Sequence, residues 1–249
     1  MNNDKKIIDD FISTLSHEIR TPLTSIKGFA QTMNDNYDLL SDEQKKKFLS
    51  IIQEQSQRLI NLVENVLSVT KIESQTSGII LKEVNLKKII EDTVEMVKIN
   101  YKNRDFIFSY GSNLPTSLSD YDKLQQILVN IIENACKYSP SDSVIKISIK
   151  NTEKENIIEI QDNGDGIEKE LIEKIFDKFY RVGNLLTNKA QGSGLGLYIA
   201  KTLADKIGAK IEVESLTDKN NHYTKFIIKV PVFEMEDIAK RAILKEKEF

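Results

Sequence analysis

The sequence contains very few residues of the types that bind structural metals or form disulfides. It has two histidines, one cysteine and no tryptophan in 249 residues. A structural zinc site needs about four cysteine or histidine ligands, which is more than the whole chain has. The single cysteine, Cys136, cannot form an internal disulfide, so nothing in the sequence indicates an oxidising compartment. These absences exclude a domain stabilised by zinc or by disulfides.

Long hydrophobic runs and a strong net charge are also absent. No apolar run approaches the roughly 20 residues of a transmembrane helix, and the polar start of the chain lacks the apolar core of a secretory signal. The net charge is only −3, with both signs interleaved, so no basic surface of the kind that binds nucleic acid is indicated. With 40% hydrophobic residues, we expect a globular cytoplasmic protein that does not bind nucleic acid.

Two long amphipathic helices are predicted at the start of the chain. From Lys5 to about Met33, apolar residues recur at steps of three and four, which is the stripe of one helix. Ser41 and Gln44 then have the spacing of a capping box, and a second apolar stripe runs from there to about Glu73. A short link between helices of this length predicts an antiparallel hairpin.

The apolar stripes of this hairpin are wider than one helix–helix seam can bury. Stripes of this width usually need further helices to cover them. We therefore predict a homodimer in which two hairpins form a four-helix bundle. The alternative is a monomer in which the hairpin folds against the rest of its own chain.

The second part of the chain has a different pattern. Residues 74–78 are small, polar and unpatterned, so we interpret them as a linker between a first domain at 1–73 and a second at 79–232. Strand pairs with short links favour a mixed or antiparallel sheet with helices on one face, which makes the chain an α+β multidomain protein. The predicted strands are 79–84, 106–110, 144–149, 157–161, 210–214 and 224–232, and the predicted helices are 85–99, 120–138 and 194–207.

A tail at 233–249 extends beyond the last predicted strand. Its apolar residues recur at helical spacing, which predicts a short amphipathic helix that docks on the second domain or on a partner. Isolated helices of this length are marginal, so a frayed tail is the alternative.

Six of the ten glycines lie between residues 164 and 196. One group, in 162–167, follows a predicted strand, and another, in 192–197, opens a predicted helix. Glycines let backbone N–H groups approach an anion at the positive end of a helix, which indicates a phosphate site. The spacings match neither a Rossmann fingerprint nor a P-loop. Either segment taken singly is equally consistent with ordinary turn glycines.

One face of the helix predicted at 120–138 carries polar residues that suit a nucleotide. Asn130, Asn134 and Lys137 lie at spacings of four and three, which puts them on a single face. An amide oxygen can complete a magnesium shell made otherwise of phosphate and water, and a lysine can neutralise phosphate charge. A solvated helical face has the same pattern, so both interpretations stay open on this spacing alone.

His17 lies on the first predicted helix beside residues that favour chemistry. Glu18 can deprotonate the imidazole and leave one ring nitrogen as a nucleophile. Thr21 lies four residues on, where it can hydrogen-bond a water beside His17. Pro22 lacks an N–H and crowds the carbonyl of Glu18, which predicts a kink in the helix. Threonine at position 21 also excludes the His-Glu-x-x-His motif of zinc proteases.

The remaining cysteine and histidine lack such neighbours. Cys136 is interpreted as a small buried helix residue, because a free cysteine packs as a hydrophobe. His222, in the turn before the last predicted strand, is interpreted as a solvated loop residue, because nothing beside it in sequence forms a catalytic or metal-binding group.

Together these segments resemble the sensor histidine kinases of bacterial two-component systems. Residues 16–22 resemble the H box of that family, 130–138 the N box, 162–167 the G1 box, 176–181 the F box and 192–197 the G2 box. The motifs occur in family order and cover most of the chain. The resemblance implies a dimerisation and histidine-phosphotransfer hairpin followed by a catalytic ATP-binding domain of the GHKL (Bergerat) type, an α/β sandwich.

The resemblance also implies roles for individual residues. Asp162 would accept a hydrogen bond from the adenine amino group, and Asn130 would ligate Mg2+. Residues 168–191 would form a lid over the nucleotide. The residues implied to bind ATP are Asn130, Asn134, Lys137, Tyr138, Asp162, Gly164, Gly166, Ile167, Phe176, Phe179, Gly192, Gly194, Leu195, Gly196 and Leu197.

The implied reaction is ATP-dependent phosphorylation of His17, with Glu18 as general base. The phosphoryl group then passes to an aspartate on the receiver domain of a response regulator, and Thr21 orients water for dephosphorylation of that regulator. Only 16 residues precede His17. We therefore expect either the cytoplasmic portion of a membrane-bound kinase or a cytoplasmic kinase instructed by an upstream sensor or partner protein.

Two other functions are compatible with parts of the pattern. An ATPase related to gyrase or mismatch-repair proteins explains 130–138 and the glycine segments but leaves the His17 helix without a role. A non-catalytic dimeric scaffold would be favoured by a missing ATP-box residue, and none is missing. A stable phosphohistidine distinguishes a kinase from both.

Overall fold

The computed structural model describes residues 2–74, 78–182, 193–218 and 221–234, with side chains from residue 12 onward. Three predicted features lie outside these ranges: residues 75–77 of the linker, residues 183–192 of the lid and the G2 box, and the tail from 235 to 249. The helices are α1 (Asn2–Asp35), α2 (Asp42–Glu73), α3 (Leu86–Lys98), α4 (Tyr121–Tyr138) and α5 (Gly196–Ile207). The strands are β1 (Lys82–Val84), β2 (Asp105–Tyr110), β3 (Ser117–Ser119), β4 (Val144–Asn151), β5 (Glu155–Asp162), β6 (Lys210–Asp218) and β7 (Asn221–Pro231).

The first two helices form the predicted antiparallel hairpin, with 34 residues in α1 and 32 in α2. The capping box at the start of α2 is confirmed. Gln44 N–H donates to Ser41 Oγ at 3.2 Å, and Ser41 N–H donates to Gln44 Oε1 at 2.9 Å, so two of the unpaired N–H groups of this helix end are satisfied. Pro22 lies buried inside α1, which continues on both sides of it. Near the connecting turn, the rings of Phe29 and Phe48 pack at 5.2 Å between centroids.

Five of the strands form the mixed sheet that the sequence predicted. The order in the five-stranded sheet is β2-β4-β5-β7-β6, where β2 and β4 are parallel and all other neighbours are antiparallel. β1 pairs with β3 in a separate two-stranded antiparallel sheet. The sequence did not predict β3, because three residues are too few to show an alternating pattern.

The core of this domain lies between the sheet and the helices. One face of α4 is fully buried, and every second residue of β5 is buried. The apolar face of α4 therefore packs inward, and its polar face is turned away from the core. The fully buried residues on α4 are Leu124, Ile127, Leu128, Ile131 and Ile132.

The end of α2 packs against the same core. Val69 and Ile72 belong to the buried cluster that includes the sheet and α5. Glu73 accepts a hydrogen bond from Tyr198 Oη at 2.8 Å and lies 2.5 Å from Lys178 Nζ, and Lys206 donates to the Ile72 carbonyl. The hairpin thus folds partly against its own chain, at its C-terminal end. The dimer stays a prediction.

Other apolar side chains of the hairpin remain exposed in this single chain, among them Ile12, Leu23, Ile60, Val63 and Leu67. A second hairpin would cover side chains of this kind. Among the helices described, none is long and apolar enough to cross a membrane.

Candidate functional site

The polar face of α4 is oriented toward the start of α5. The amide nitrogen of Asn130 donates to the Gln126 carbonyl at 2.9 Å, which turns the amide oxygen away from its own helix. That oxygen faces Gly196, where an added Cβ would lie only 2.9 Å from it. Glycine at position 196 therefore leaves the space that the Asn130 oxygen needs to reach a ligand.

The other members of this face lie closer to solvent. Asn134 is half-buried, whereas Lys137 and Tyr138 are exposed at the C-terminal end of α4. The Lys137 ammonium lies 3.2 Å from the Glu133 carboxylate, one turn earlier on the helix. A largely solvated ion pair of this kind is weak, so Lys137 can leave it for the stronger charge of a phosphate.

Asp162 ends β5 as a buried carboxylate, with 3% of its surface exposed. Its Oδ1 accepts the N–H of Gly164 at 2.7 Å, which closes a tight turn. Burial raises the pKa of Asp162 to about 6, although the Gly164 hydrogen bond and the charge of Arg104 act in the opposite direction. A buried carboxylate with one oxygen bonded inside its own turn keeps its other oxygen as a strong acceptor for a ligand N–H group.

The segment that follows this aspartate is packed between α4 and β6. A Cβ at Gly164 would lie 2.5 Å from the Tyr138 carbonyl, so the turn contacts the end of α4. Gly166 adopts a positive φ of 79° against β6. The N–H of Ile167 donates to Ser215 Oγ at 2.8 Å, and its side chain packs against the core. Ile167 is half-buried, and its predicted contact with ATP stays a prediction.

Phe179 joins the F box to the G2 box. Its N–H donates to the Gly194 carbonyl at 2.9 Å, and both residues have left-handed backbones, with φ of 62° and 67°. A left-handed phenylalanine costs about 1–2 kcal/mol, so the surrounding contacts must hold it in place. A Cβ at Gly194 would lie 2.7 Å from Phe179 Cα, which excludes any other residue without a backbone shift. Phe176, the second predicted anchor of the lid, is half-buried against the core.

Helix α5 begins at Gly196, two residues later than the sequence predicted. Leu195 is fully buried in the core, so its side chain does not face a ligand. Leu197 is half-buried and packs against the core, and its predicted contact with ATP stays a prediction. Ser193 Oγ accepts the N–H of Leu195 at 3.3 Å. Gly192, the first residue of the predicted G2 box, lies outside the described residues.

His17 is exposed on α1, where a phosphoryl donor can reach it. The hydroxyl of Thr21 donates to the backbone carbonyl of His17 at 3.1 Å. The hydroxyl hydrogen of Thr21 is thus bound within α1, whereas its oxygen can still accept a hydrogen bond. The role of Thr21 in orienting water stays a prediction.

Glu18 is buried beside His17 and is held by two arginines. Its Oε2 lies 3.0 Å from Arg58 Nη2 on α2, and its Oε1 lies 3.2 Å from Arg181 Nη1 at the end of the F box. Both carboxylate oxygens are thus engaged by positive charge. Arg181 brings the ATP-binding part of the chain into direct contact with the residue next to His17.

Sequence reasoning missed four residues of this region. Arg58 and Arg181 reach Glu18, and the buried Arg104 donates to carbonyls at the end of α4. His222 was interpreted as a solvated loop residue, but it lies on β7, and its Nδ1 is 2.7 Å from the Gly164 carbonyl. Only Arg181 had a local signal, since it ends the F box. The other contacts depend on pairings between distant segments.

The donors around Asn130 suit a hard cation that is held mainly by phosphates. Within the described part of the chain, no group of three or more histidine, cysteine or acidic residues is placed to hold a metal ion. A magnesium ion bound by one amide oxygen, phosphate oxygens and water needs no such group. The outward-facing oxygen of Asn130 fits that arrangement.

Two families match this chain. Residues 7–75 match the His Kinase A (phospho-acceptor) domain, and residues 119–234 match the histidine kinase-, DNA gyrase B- and HSP90-like ATPase family. The sensor protein KdpD of Clostridium acetobutylicum is 32% identical over 84% of this chain, and the sensor protein SrrB of Staphylococcus aureus is 34% identical over 89%. The chain spans 23% and 38% of the length of these two relatives.

Solved structures of histidine kinases have the same fold. The kinase ThkA, in complex with the response regulator TrrA, matches 93% of this chain and 64% of its own with a TM-score of 0.70 and 26% identity. The Acinetobacter baumannii kinase AdeS matches 88% of this chain and 98% of its own with a TM-score of 0.64. At 22% identity, the likeness to AdeS shows the fold alone.

Proposed function

Because this chain belongs to the HisKA-type sensor histidine kinases, we propose that it phosphorylates its own His17 from ATP and passes the phosphoryl group to an aspartate of a response regulator. The domain limits follow the sequence: a phosphotransfer hairpin at 1–73, a linker at 74–78, a catalytic domain at 79–232 and a tail at 233–249. We place the chain in the cytoplasm, on its own or as part of a membrane-bound kinase.

One observation carries this proposal. The segments 130–138, 162–167, 176–181 and 193–197 are far apart in sequence, and direct contacts bring them together: Asn130 with Gly196, Tyr138 with Gly164, and Phe179 with Gly194. An adenine acceptor, an amide ligand and a glycine backbone are what a site for Mg-ATP requires. Turn glycines with only a structural role have no reason to converge in this way.

ATP would bind with its base at Asp162 and its phosphates between α4 and the start of α5. The free oxygen of Asp162 would accept the adenine amino group, and Tyr138 would pack near the base. Asn130 would ligate Mg2+, which supplies charge neutralisation on the phosphates, while Asn134, Lys137 and the glycine backbone would hold phosphate oxygens. The stretch 168–191 would cover the bound nucleotide.

Phosphoryl transfer would proceed by positioning rather than by a covalent step on the ATP-binding domain. A ring nitrogen of His17 attacks the γ-phosphorus, the bond to the bridging oxygen breaks and ADP leaves. Glu18 accepts the imidazole proton that the reaction releases. Both oxygens of Glu18 pair with Arg58 and Arg181, so movement of either arginine would free an oxygen for the proton of His17.

The partners follow from the same reasoning. We infer that two copies pair through the exposed apolar residues of the hairpin, and that a receiver domain docks beside His17. The complex of ThkA with TrrA supports the second inference, because that kinase shares the fold of this chain. Dephosphorylation of the regulator would use Thr21, whose hydroxyl oxygen can accept a hydrogen bond from water while its hydrogen is donated to the His17 carbonyl.

The test is incubation of the full chain with Mg2+ and γ-labelled ATP. An acid-labile, base-stable label on the wild type, absent in His17→Ala while ADP binding persists, is the expected result. Label retained in His17→Ala would overturn the nucleophile assignment. ATP hydrolysis without any labelled protein would instead favour the gyrase-like ATPase alternative. Transfer of the label to a receiver domain added afterward tests the second half of the proposal.

A further inference from the structure

His222 is the second of the two histidines, and the site described above does not use it. It lies near the start of β7, half-buried, opposite Thr217 of β6. Its Nδ1 is 2.7 Å from the carbonyl oxygen of Gly164, 58 residues away in sequence. Gly164 belongs to the turn that begins with the buried carboxylate of Asp162. His222 therefore contacts the turn that carries the proposed adenine acceptor.

The direction of this hydrogen bond fixes the state of the ring. A carbonyl oxygen can only accept, so the Nδ1 of His222 must carry the proton and donate. In the neutral ring, Nε2 is then the unprotonated nitrogen. The contact needs a donor at the Nδ1 position and does not need a positive charge.

The backbone of Gly164 is held at its N–H, its carbonyl and its Cα. Its N–H donates to Asp162 Oδ1 at 2.7 Å, its carbonyl accepts from His222, and its Cα lies so near the Tyr138 carbonyl that a Cβ would be 2.5 Å from that oxygen. The first of these bonds sets the rotation of the Asp162 carboxylate. The N–H and the carbonyl of Gly164 belong to adjacent peptide groups that meet at its Cα, which is packed against Tyr138, so a shift of the carbonyl is passed through this Cα to the N–H that orients Asp162.

The hairpin of β6 and β7 gives His222 a rigid base. The two strands pair continuously from Lys210 to Asp218, and β7 is also paired with β5, the strand that ends at Asp162. Ser215 on the same hairpin accepts the Ile167 N–H at 2.8 Å and donates to the Tyr223 carbonyl at 2.7 Å. The hairpin thus holds the 164–167 segment at both its first and its last residue.

We propose that His222 is a positioning residue for adenine recognition: its Nδ1–H fixes the Gly164 peptide and thereby aims the Asp162 carboxylate at the adenine amino group. This inference rests on the proposed function, because it assigns a further residue to the same nucleotide site. His222 touches neither the base nor the phosphates. Its loss should weaken adenine nucleotide binding and leave the transfer step unchanged once ATP is bound.

Three substitutions distinguish positioning from a general structural role. In His222→Asn, the amide nitrogen occupies nearly the place of Nδ1, so the bond to Gly164 is retained. In His222→Gln, the amide group extends one bond further and does not match that place. His222→Ala removes the donor. Glu212→Gln is the control, because it breaks an exposed ion pair with Lys229 on the same hairpin, away from the turn.

The experiment measures ADP and GDP dissociation constants by calorimetry on the full chain, together with KM and kcat for autophosphorylation. Loss of one oriented hydrogen bond predicts about tenfold weaker ADP binding and a similarly raised KM in His222→Ala and His222→Gln, with kcat within about twofold. Binding of ADP by His222→Asn and by Glu212→Gln should stay within about threefold of wild type. The preference for ADP over GDP should fall only in the Ala and Gln variants.

Equal ADP affinity in all variants would overturn the inference, as would equal weakening in His222→Asn and His222→Gln. If His222→Ala does not fold, the comparison of the Asn and Gln variants decides the question alone. A wild-type chain that binds no ADP would overturn the proposed function itself, and the inference with it. The two failures are therefore distinguishable.

Discussion

Arg181 Nη1 lies 3.2 Å from Glu18 Oε1, which links the end of the F box to the residue next to His17. The other oxygen of Glu18 lies 3.0 Å from Arg58. The ion pair spans 163 residues of sequence and holds the ATP-binding domain against the hairpin of its own chain. Opening either ion pair would free a carboxylate oxygen of Glu18, the proposed general base, so we expect the docked arrangement to slow phosphorylation of His17.

Replacement of Arg181 should make that opening easier. In Arg181→Met, Glu18 keeps Arg58 and loses the tie to the ATP-binding domain. A partly exposed ion pair contributes about 1 kcal/mol or less, so we expect the initial autophosphorylation rate to rise by up to about fivefold. The rate is measured from γ-labelled ATP at saturating concentration. Arg20→Met, at an exposed position on α1, is the control. A rate that falls would show that Arg181 serves the transfer and does not restrain it.

Asp162 should destabilise the free protein at neutral pH. Its pKa is raised by burial to about 6 from an ordinary value of 3.8. An acid with a raised folded-state pKa stabilises the fold fully below 3.8 and loses that contribution as the pH rises through about 6. At pH 7.5, Asp162→Asn should therefore unfold at higher urea concentration, with a gain of at most about 2–3 kcal/mol.

The same variant should lose its affinity for ATP and ADP. The asparagine oxygen can still accept the Gly164 N–H, but its amide group then turns a donor toward the adenine amino donor. Urea unfolding and ADP calorimetry on the same preparation measure both effects. Equal stability of wild type and variant at pH 7.5 would contradict the raised pKa, and retained ADP affinity would contradict the adenine assignment.

Arg104 should be essential for the stability of α4. It is 7% exposed and caps the C-terminal end of that helix, where the backbone carbonyls carry partial negative charge. Arg104→Met removes the arginine donor from the buried carbonyls of Cys136 and Ser139, for which we expect a loss of about 2–4 kcal/mol in the free energy of unfolding. Lys102→Met, two residues earlier and exposed, should change it by less than about 0.5 kcal/mol. The acceptors are the carbonyl oxygens of Cys136, Ser139, Pro140 and Ser143.

Alanine should have opposite effects at two glycines. Gly194 has φ of 67°, and a Cβ there would lie 2.7 Å from Phe179 Cα, so Gly194→Ala should cost about 2 kcal/mol or more and weaken ATP binding. Gly28 lies inside α1 with nothing within 4 Å of an added Cβ, so Gly28→Ala should stabilise the chain by about 0.5–1 kcal/mol. Urea unfolding of the two variants is the measurement. An unchanged free energy of unfolding in Gly194→Ala would mean that the backbone of Phe179 shifts without an energetic cost.

Local signals in the sequence determined the elements and their order. The capping box at Ser41 and the apolar stripes on either side of it gave the hairpin, and the alternating segments gave most of the mixed sheet. These features follow from residues within one helical turn or one strand of each other, so they can be read without knowing the fold. The motifs predicted which residues form the proposed nucleotide site.

Only the tertiary structure decided which groups meet. Arg58 reaches Glu18 across 40 residues, and His222 reaches Gly164 across 58, and neither residue has a local pattern that marks it. Leu195 differs from these two, because its place in a motif suggested a contact with ATP. Its side chain is nevertheless fully buried. A contact between distant segments depends on how helices and strands pack, and packing is set by the whole core rather than by neighbours in sequence. The sequence therefore determined the chemistry available to this protein, and the fold decided that Glu18, the proposed general base, is held by two arginines and that the turn at Gly164 is bonded by a histidine.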